Sequence, residues 1–258
     1  MNKIKLKWLL LFVITLQSKV VVARTATPLM IGVENIEYLP YYDGSDQQGS
    51  NYYGFSEQLL KLFAHNYGYK FDFYSLPINR LYKDFIVQDY IDFKYPDNPQ
   101  WHQAYKKKYA EIKPVTYSNK ILTTVTGIAS LKKSIELSEC LSFAKVRGFT
   151  SQSYKSYFDK KEIEVVETAD TSELISLLIL KRVDCIYISH DVLQYQLSKE
   201  FADATIYFQN HLKVDAQNFY LSSIKHPEII LQFNQFLSRS SHEIAILKKR
   251  FKIKGMEE

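Results

Sequence analysis

Between Pro28 and Tyr95 the spacing of apolar residues alternates between a period of two and a period near 3.6. That alternation restricts the chain to sheets with helices packed on their faces. Pro28-Leu29-Met30-Ile31-Gly32-Val33 predicts a first strand. A polar, aromatic loop follows from Glu34 to Tyr53. Phe55, Leu59, Leu62, Phe63 and Tyr67 then fall on one helical face, and Gly68 supplies the stop. Lys70 to Leu76 predicts a second strand, and Pro77-Ile78-Asn79-Arg80 turns into a helix carrying Leu81, Phe85 and Ile86. In the third strand Ile91, Phe93 and Tyr95 alternate with Asp92 and Lys94. The order β-loop-α-β-α-β predicts a mainly parallel sheet.

The end of that third strand is the first place to look for a site. Open α/β sheets hold ligands beyond the carboxyl ends of their strands. Pro96 lacks an N–H and is expected to stop the strand. Asp97-Asn98-Pro99 is turn chemistry, and Trp101 follows in an expected exposed loop. Asp97, Asn98 and Trp101 therefore stand as ligand contacts, with Arg80 at the end of the second strand as a cation suited to an anionic group. Lys106-Lys107-Lys108 predicts a solvated segment.

The second half repeats the alternation. Ile121 to Thr126, Leu141 to Val146, Ile163 to Glu167 and Cys185 to Ile188 predict strands. Asp170 and Glu173 form a capping box before the helix that carries Leu174, Leu177 and Leu178. Gly148 and Thr150 follow one strand, in a turn where glycine permits close backbone approach. Ser189 and Asp191 end another, again facing a crevice if the sheet is parallel. Asn218 to Ser222 predicts a returning strand, and two helices close the chain, the second opened by a Ser240/Glu243 box. Crossings near Ser118–Thr123 and Val214–Gln217 divide the chain into a discontinuous first lobe, 24–120 and 215–258, and a second lobe, 121–214. Tyr117 and Ser118, at the first crossing, are candidate contacts.

Met1 to Ala23 has the lysines, apolar core and small residues of a cleavable export signal. Lys3, Lys5, Lys7 and Lys19 carry most of the formal charge of +5, and removing them leaves 29 basic against 28 acidic residues. That balance gives no argument for nucleic acid. An exported, monomeric protein is expected, in the periplasm. In an oxidising compartment Cys140 and Cys185 form either a disulfide or two buried thiols. Cysteine and histidine are not spaced for a metal, and no cofactor is implied.

The leader, the aromatic loop, Gly54-Phe55 opening a helix, Arg182-Val183-Asp184 before a strand, and two closing helices together resemble extracytoplasmic solute-binding proteins of the amino-acid type, family 3. The resemblance spans the mature chain. It implies a two-lobe type II periplasmic-binding-protein fold that closes on a small solute at a hinge. It also implies a membrane partner, either an ABC-type permease or, alternatively, a signalling sensor. It nominates Tyr38, Tyr41 and Tyr42 for stacking, with Gly148 and Thr150 in the glycine-hydroxyl turn. The family's carboxylate-gripping arginine is replaced here by Trp101 and Lys106 to Lys108, and its amine-binding aspartate by Ser189, with Asp191 two residues on. A hydrolase pairing Asp97 with Asp191 is the enzymatic alternative. Gly-x-Ser-x-Gly and phosphate-loop motifs are absent, and the expectation is binding without catalysis.

Overall fold

The computed structural model describes residues 27–46, 51–149 and 151–254. The expected leader and Thr150 lie outside the described residues. The first lobe begins with β1 (Leu29–Glu34), then a short hairpin of β2 (Glu37–Tyr38) and β3 (Tyr42–Asp43). Helix α1 (Phe55–Tyr67), β4 (Phe71–Leu76), α2 (Ile78–Ile86), β5 (Phe93–Asp97), α3 (Gln103–Tyr109) and β6 (Thr116–Tyr117) follow. Strand β7 (Leu122–Ser130) leads into the second lobe, built from β8 (Ser142–Val146), α4 (Lys155–Phe158), β9 (Glu164–Thr168), α5 (Thr171–Ile179), β10 (Cys185–Ser189), α6 (His190–Lys199) and β11 (Tyr207–Phe208). Strand β12 (Asp215–Ser223) returns, and α7 (Pro227–Arg239) and α8 (Ser241–Arg250) close the chain.

The sheet runs β4-β1-β5-β12-β7-β10-β8-β9. Strand β1 is parallel to β4 from Leu29↔Phe71 to Glu34↔Leu76, and parallel to β5 at Ile31↔Phe93 and Gly32↔Lys94. In the second lobe β10 is parallel to β8, and β8 to β9. The two nine-residue strands β7 and β12 pair antiparallel from Asp215↔Thr126 to Phe219↔Leu122 and join the halves.

Helix α1 stops at Gly68, whose φ of 74° is left-handed, as its sequence predicts. Its Phe63 packs against Phe233 and Phe236 of α7, ring centroids 5.0 and 5.4 Å apart. Asp170 accepts from the Glu173 amide at 2.8 Å, and Glu173 accepts in turn from Ala169 N–H rather than from Asp170 itself. At Ser240 the expected box is not made. This residue joins α7 directly to α8, and its side chain caps neither.

Pro96 does not end its strand. It follows a cis peptide bond inside β5, where two residues of β5 face one of β12 between Lys94↔Ser222 and Asp97↔Tyr220. That bulge asks no ladder hydrogen bond of the proline, so the strand continues to Asp97. The lysine run is not wholly solvated either: it lies on α3, and Lys106 is buried. Cys140 and Cys185 are joined in a disulfide within a second-lobe core of Ile128, Ile135, Phe143, Tyr154 and Tyr187. Among the described residues no helix is long and apolar enough to cross a membrane.

Candidate functional site

A cavity of about 50 Å³ lies between the two lobes. By the same water-centred measure one water needs roughly 10–15 Å³, so the space suits a solute of a few heavy atoms. The first lobe contributes Glu34, Tyr38, Tyr42, Tyr82, Trp101 and His102, with Ile78 from the start of α2. The second lobe contributes Gly148, Phe149 and Tyr187. The joining strands add Thr124, Thr126, Gln217 and Phe219. A larger hollow, about 420 Å³, shares Ile78 and Gly148 with it and extends toward Arg147 and the start of α5.

The lobes touch directly around this space. Tyr38 meets Phe149 edge-on at 5.2 Å. The Tyr41 hydroxyl donates to Asp191 at 3.0 Å, and Gln196 Nε2 donates to Glu37 at 3.0 Å. At the rim, Gln152 Nε2 donates to Gln100 Oε1 at 2.9 Å. Gly148, at φ 84°, lies so near Ile78 that an added Cβ would stand 3.3 Å from its side chain.

Beneath the cavity floor lies a charged cluster. Lys94 is wholly buried, donates to the Pro96 carbonyl at 2.5 Å, and sits 4.4 Å from the centre of the Tyr82 ring. Glu34 and Asp97 each come within 3.8 Å of its Nζ. Asp97 accepts from Lys106 and Tyr82 at 2.8 Å, Ser222 Oγ at 2.7 Å and the Asn98 amide at 2.8 Å. Burial alone would raise the Asp97 pKa, but Lys94 and Lys106 outweigh it and hold the carboxyl below its usual range. Glu34 goes the other way. Burial raises its pKa against the opposing pull of Lys94 and of Tyr42, whose hydroxyl donates at 2.5 Å. His102 is pushed down to about 4 by burial, then by Lys94 and Lys106, and stays neutral at pH 7.

These opposite shifts have opposite consequences. A carboxyl whose pKa is raised on folding loses stability as pH rises from its unfolded value through its folded one. Glu34→Gln is therefore expected to be at least as stable as wild type at pH 8 and to lose that advantage near pH 4.5. Melting temperatures of both proteins at the two pH values check this.

Of the residues nominated from sequence, Tyr38, Tyr42, Trp101 and Gly148 line the cavity. Trp101 is half-buried rather than exposed, and its Nε1 donates to Gln217 Oε1 at 2.9 Å. Asp97 lies behind the wall, fully engaged by the donors named above, and Asn98 Nδ2 donates to the Asn218 carbonyl. Arg80 points to solvent, 63% exposed, and pairs with Asp84 one helical turn on; the cavity takes Ile78 from that turn instead. Ser118 accepts from the Leu221 amide and fixes the chain after β6 to β12, while Tyr117 packs over Lys106. Ser189 is buried beside the Tyr38 and Tyr41 hydroxyls without a well-formed hydrogen bond. Tyr41 and Asp191 bond to each other across the lobes, and Asp191 borders a separate hollow with His190 and Phe208. Glu34, Tyr82, His102, Phe149, Tyr187, Gln217 and Phe219 were not nominated. Glu34 alone carried a readable signal, since it ends the first strand and obeys the same strand-end rule that nominated Asp97.

No protein-family model matches the sequence, and no curated protein does. Solved structures do match. The ligand-binding core of GluR0 from Nostoc punctiforme, in complex with L-glutamate, superposes with a TM-score of 0.67 at 15% identity, over 87% of this chain and 99% of that one. The substrate-binding protein of an amino-acid ABC transporter gives 0.68 at 16%, over 87% and 99%. The VFT2 domain of Bordetella pertussis BvgS, as a double mutant, gives 0.65 at 16%, over 86% and 92%. The chain has the two-lobe, type II periplasmic-binding-protein fold. In this binding-protein fold the space between the lobes is where Tyr38, Trp101 and Gly148 converge.

Proposed function

We propose that the protein is an exported solute-binding protein that captures a small molecule between its lobes by hinge closure. The observation that carries this reading is the ring-lined cavity shared by both lobes and covered by direct contacts between them. A solute bridging the two walls favours the closed form by its differential affinity for it, and a partner reads the closed shape. We place the hinge between the two lobes where β7 and β12 run side by side. The function is binding, without bond making. Asp97 and Asp191, the pair a hydrolase would need, do not share a cavity.

Delivery to an ABC-type importer is supported by the likeness to the transporter's binding protein. Presentation to a membrane sensor is the second reading, supported by the likeness to the BvgS domain. A melting-temperature screen over amino acids, polyamines, organic acids and small sugars tests the binding itself, because a ligand of the native state raises its melting point. At least one compound is expected to do so. Trp101→Ala should weaken that compound roughly 3- to 10-fold, the scale of one lost aromatic contact. A hit whose effect survives Trp101→Ala unchanged would place binding elsewhere.

A further inference from the structure

Among the described residues of its lining, the cavity has one group able to carry charge near neutral pH. His102 is neutral there, the tyrosine hydroxyls stay protonated, and Lys94 and Lys106 are not part of the lining. That group is Glu34, 4% exposed. Its Oε2 is satisfied by the Tyr42 hydroxyl. Its Oε1 has Lys94 Nζ at 3.8 Å, beyond hydrogen-bond reach, because Lys94 gives its short bond to the Pro96 carbonyl. A carboxyl oxygen on a cavity wall that has an ion-pair partner but no short hydrogen bond can still accept one from a donor in the cavity. Around it stand the rings of Tyr38, Tyr42, Tyr82 and Trp101, and aromatic faces attract cations. An incoming carboxylate would meet Glu34 first, since the nearest ammonium, Lys94, stands behind the lining and is already shared between Glu34 and Asp97.

We propose that the inter-lobe cavity takes a small protonated amine bearing no carboxylate, its ammonium group donating to Glu34 Oε1 between the aromatic walls. The proposal rests on the solute-binding reading and names its ligand class.

Trp101 and Trp8 are the chain's two indoles. In the full chain carrying Trp8→Phe, emission therefore reports on the cavity wall alone. Titration at pH 7.5 and fixed ionic strength compares three solutes of similar size: propylammonium, 1-propanol and β-alanine, the last adding a carboxylate to the amine. Propylammonium is expected to bind at least tenfold more tightly than either of the others, and Glu34→Gln to remove at least tenfold of that affinity. Equal or tighter binding of propanol or β-alanine would overturn the proposal without any variant. So would affinity retained in Glu34→Gln, or no response to propylammonium. In each of those cases the melting-temperature screen still judges the solute-binding reading separately, since a hit of another charge class sustains it.

Discussion

Asp97→Ala is expected to destabilise the protein by about 3–5 kcal/mol, the usual cost of removing one partner from a buried ion pair. The carboxylate is fully buried and holds two buried lysines, one at 2.8 Å and one at 3.8 Å, as well as two hydroxyls. Without it Lys106 loses its salt-bridge partner and Lys94 loses one of two neighbouring carboxyl groups, the other being Glu34. Denaturant unfolding at pH 7 measures the loss. Asp97→Asn removes the charge while keeping much of the hydrogen bonding, because an amide oxygen in the Oδ1 position still accepts from Tyr82 and the Ser222 hydroxyl, which meets Oδ2, can accept from the amide N–H instead. Since the folded pKa of Asp97 is lowered, its contribution is present above the unfolded value of 3.8 and is lost as pH falls through the folded one. The stability gap between wild type and Asp97→Asn should therefore narrow below pH 3.8. A gap unchanged by acid would mean that the charge is not what matters.

The disulfide should be worth a similar amount. Cys140 and Cys185 are 45 residues apart, and closing a loop of that length restricts the unfolded chain by about 4 kcal/mol in the chain-entropy model. Both side chains lie in the second-lobe core, beside Phe143 and Tyr187. The double variant Cys140→Ala/Cys185→Ala is expected to melt roughly 8–16 °C lower, using about 2–4 °C per kcal/mol for a chain of this size. A drop of only a degree or two would show that the bridge adds little to a lobe already held by its core.

The alternation of periods from Pro28 to Tyr95 made the sheet legible, because a period of two and a period near 3.6 bury different faces. Gly68 and Asp170 were legible for local reasons, a left-handed stop and an N-cap. Pro96 was misread because its permission to sit in β5 comes from a bulge against β12, more than a hundred residues away. Lys106 was misread for the same kind of reason. A charge run predicts solvent, and only the fold brings Asp97 to it. The site divided along that line. Trp101 could be nominated from its place after a strand end and Tyr38 from the family resemblance, while Gln217, Phe219, Thr124 and Thr126 sit on the joining strands and face the cavity only once those strands pair. Asp97 drew attention as a reader of ligand. The fold uses it to hold two lysines behind the wall, and Glu34 is the carboxylate left at the surface of the cavity.

The account stands or falls on solute being held between lobes that must part to admit it. Gln100 and Gln152 are exposed and meet across the rim, and the two native cysteines are tied in their disulfide. In Gln100→Cys/Gln152→Cys a short bismaleimide can therefore bridge the lobes specifically. The measurement is the binding of whichever screened compound raises the melting temperature, with the bridge installed before or after it is added. The account predicts no uptake when the bridge comes first and no release when it comes second. Equal, freely reversible binding in bridged and unbridged protein would contradict it.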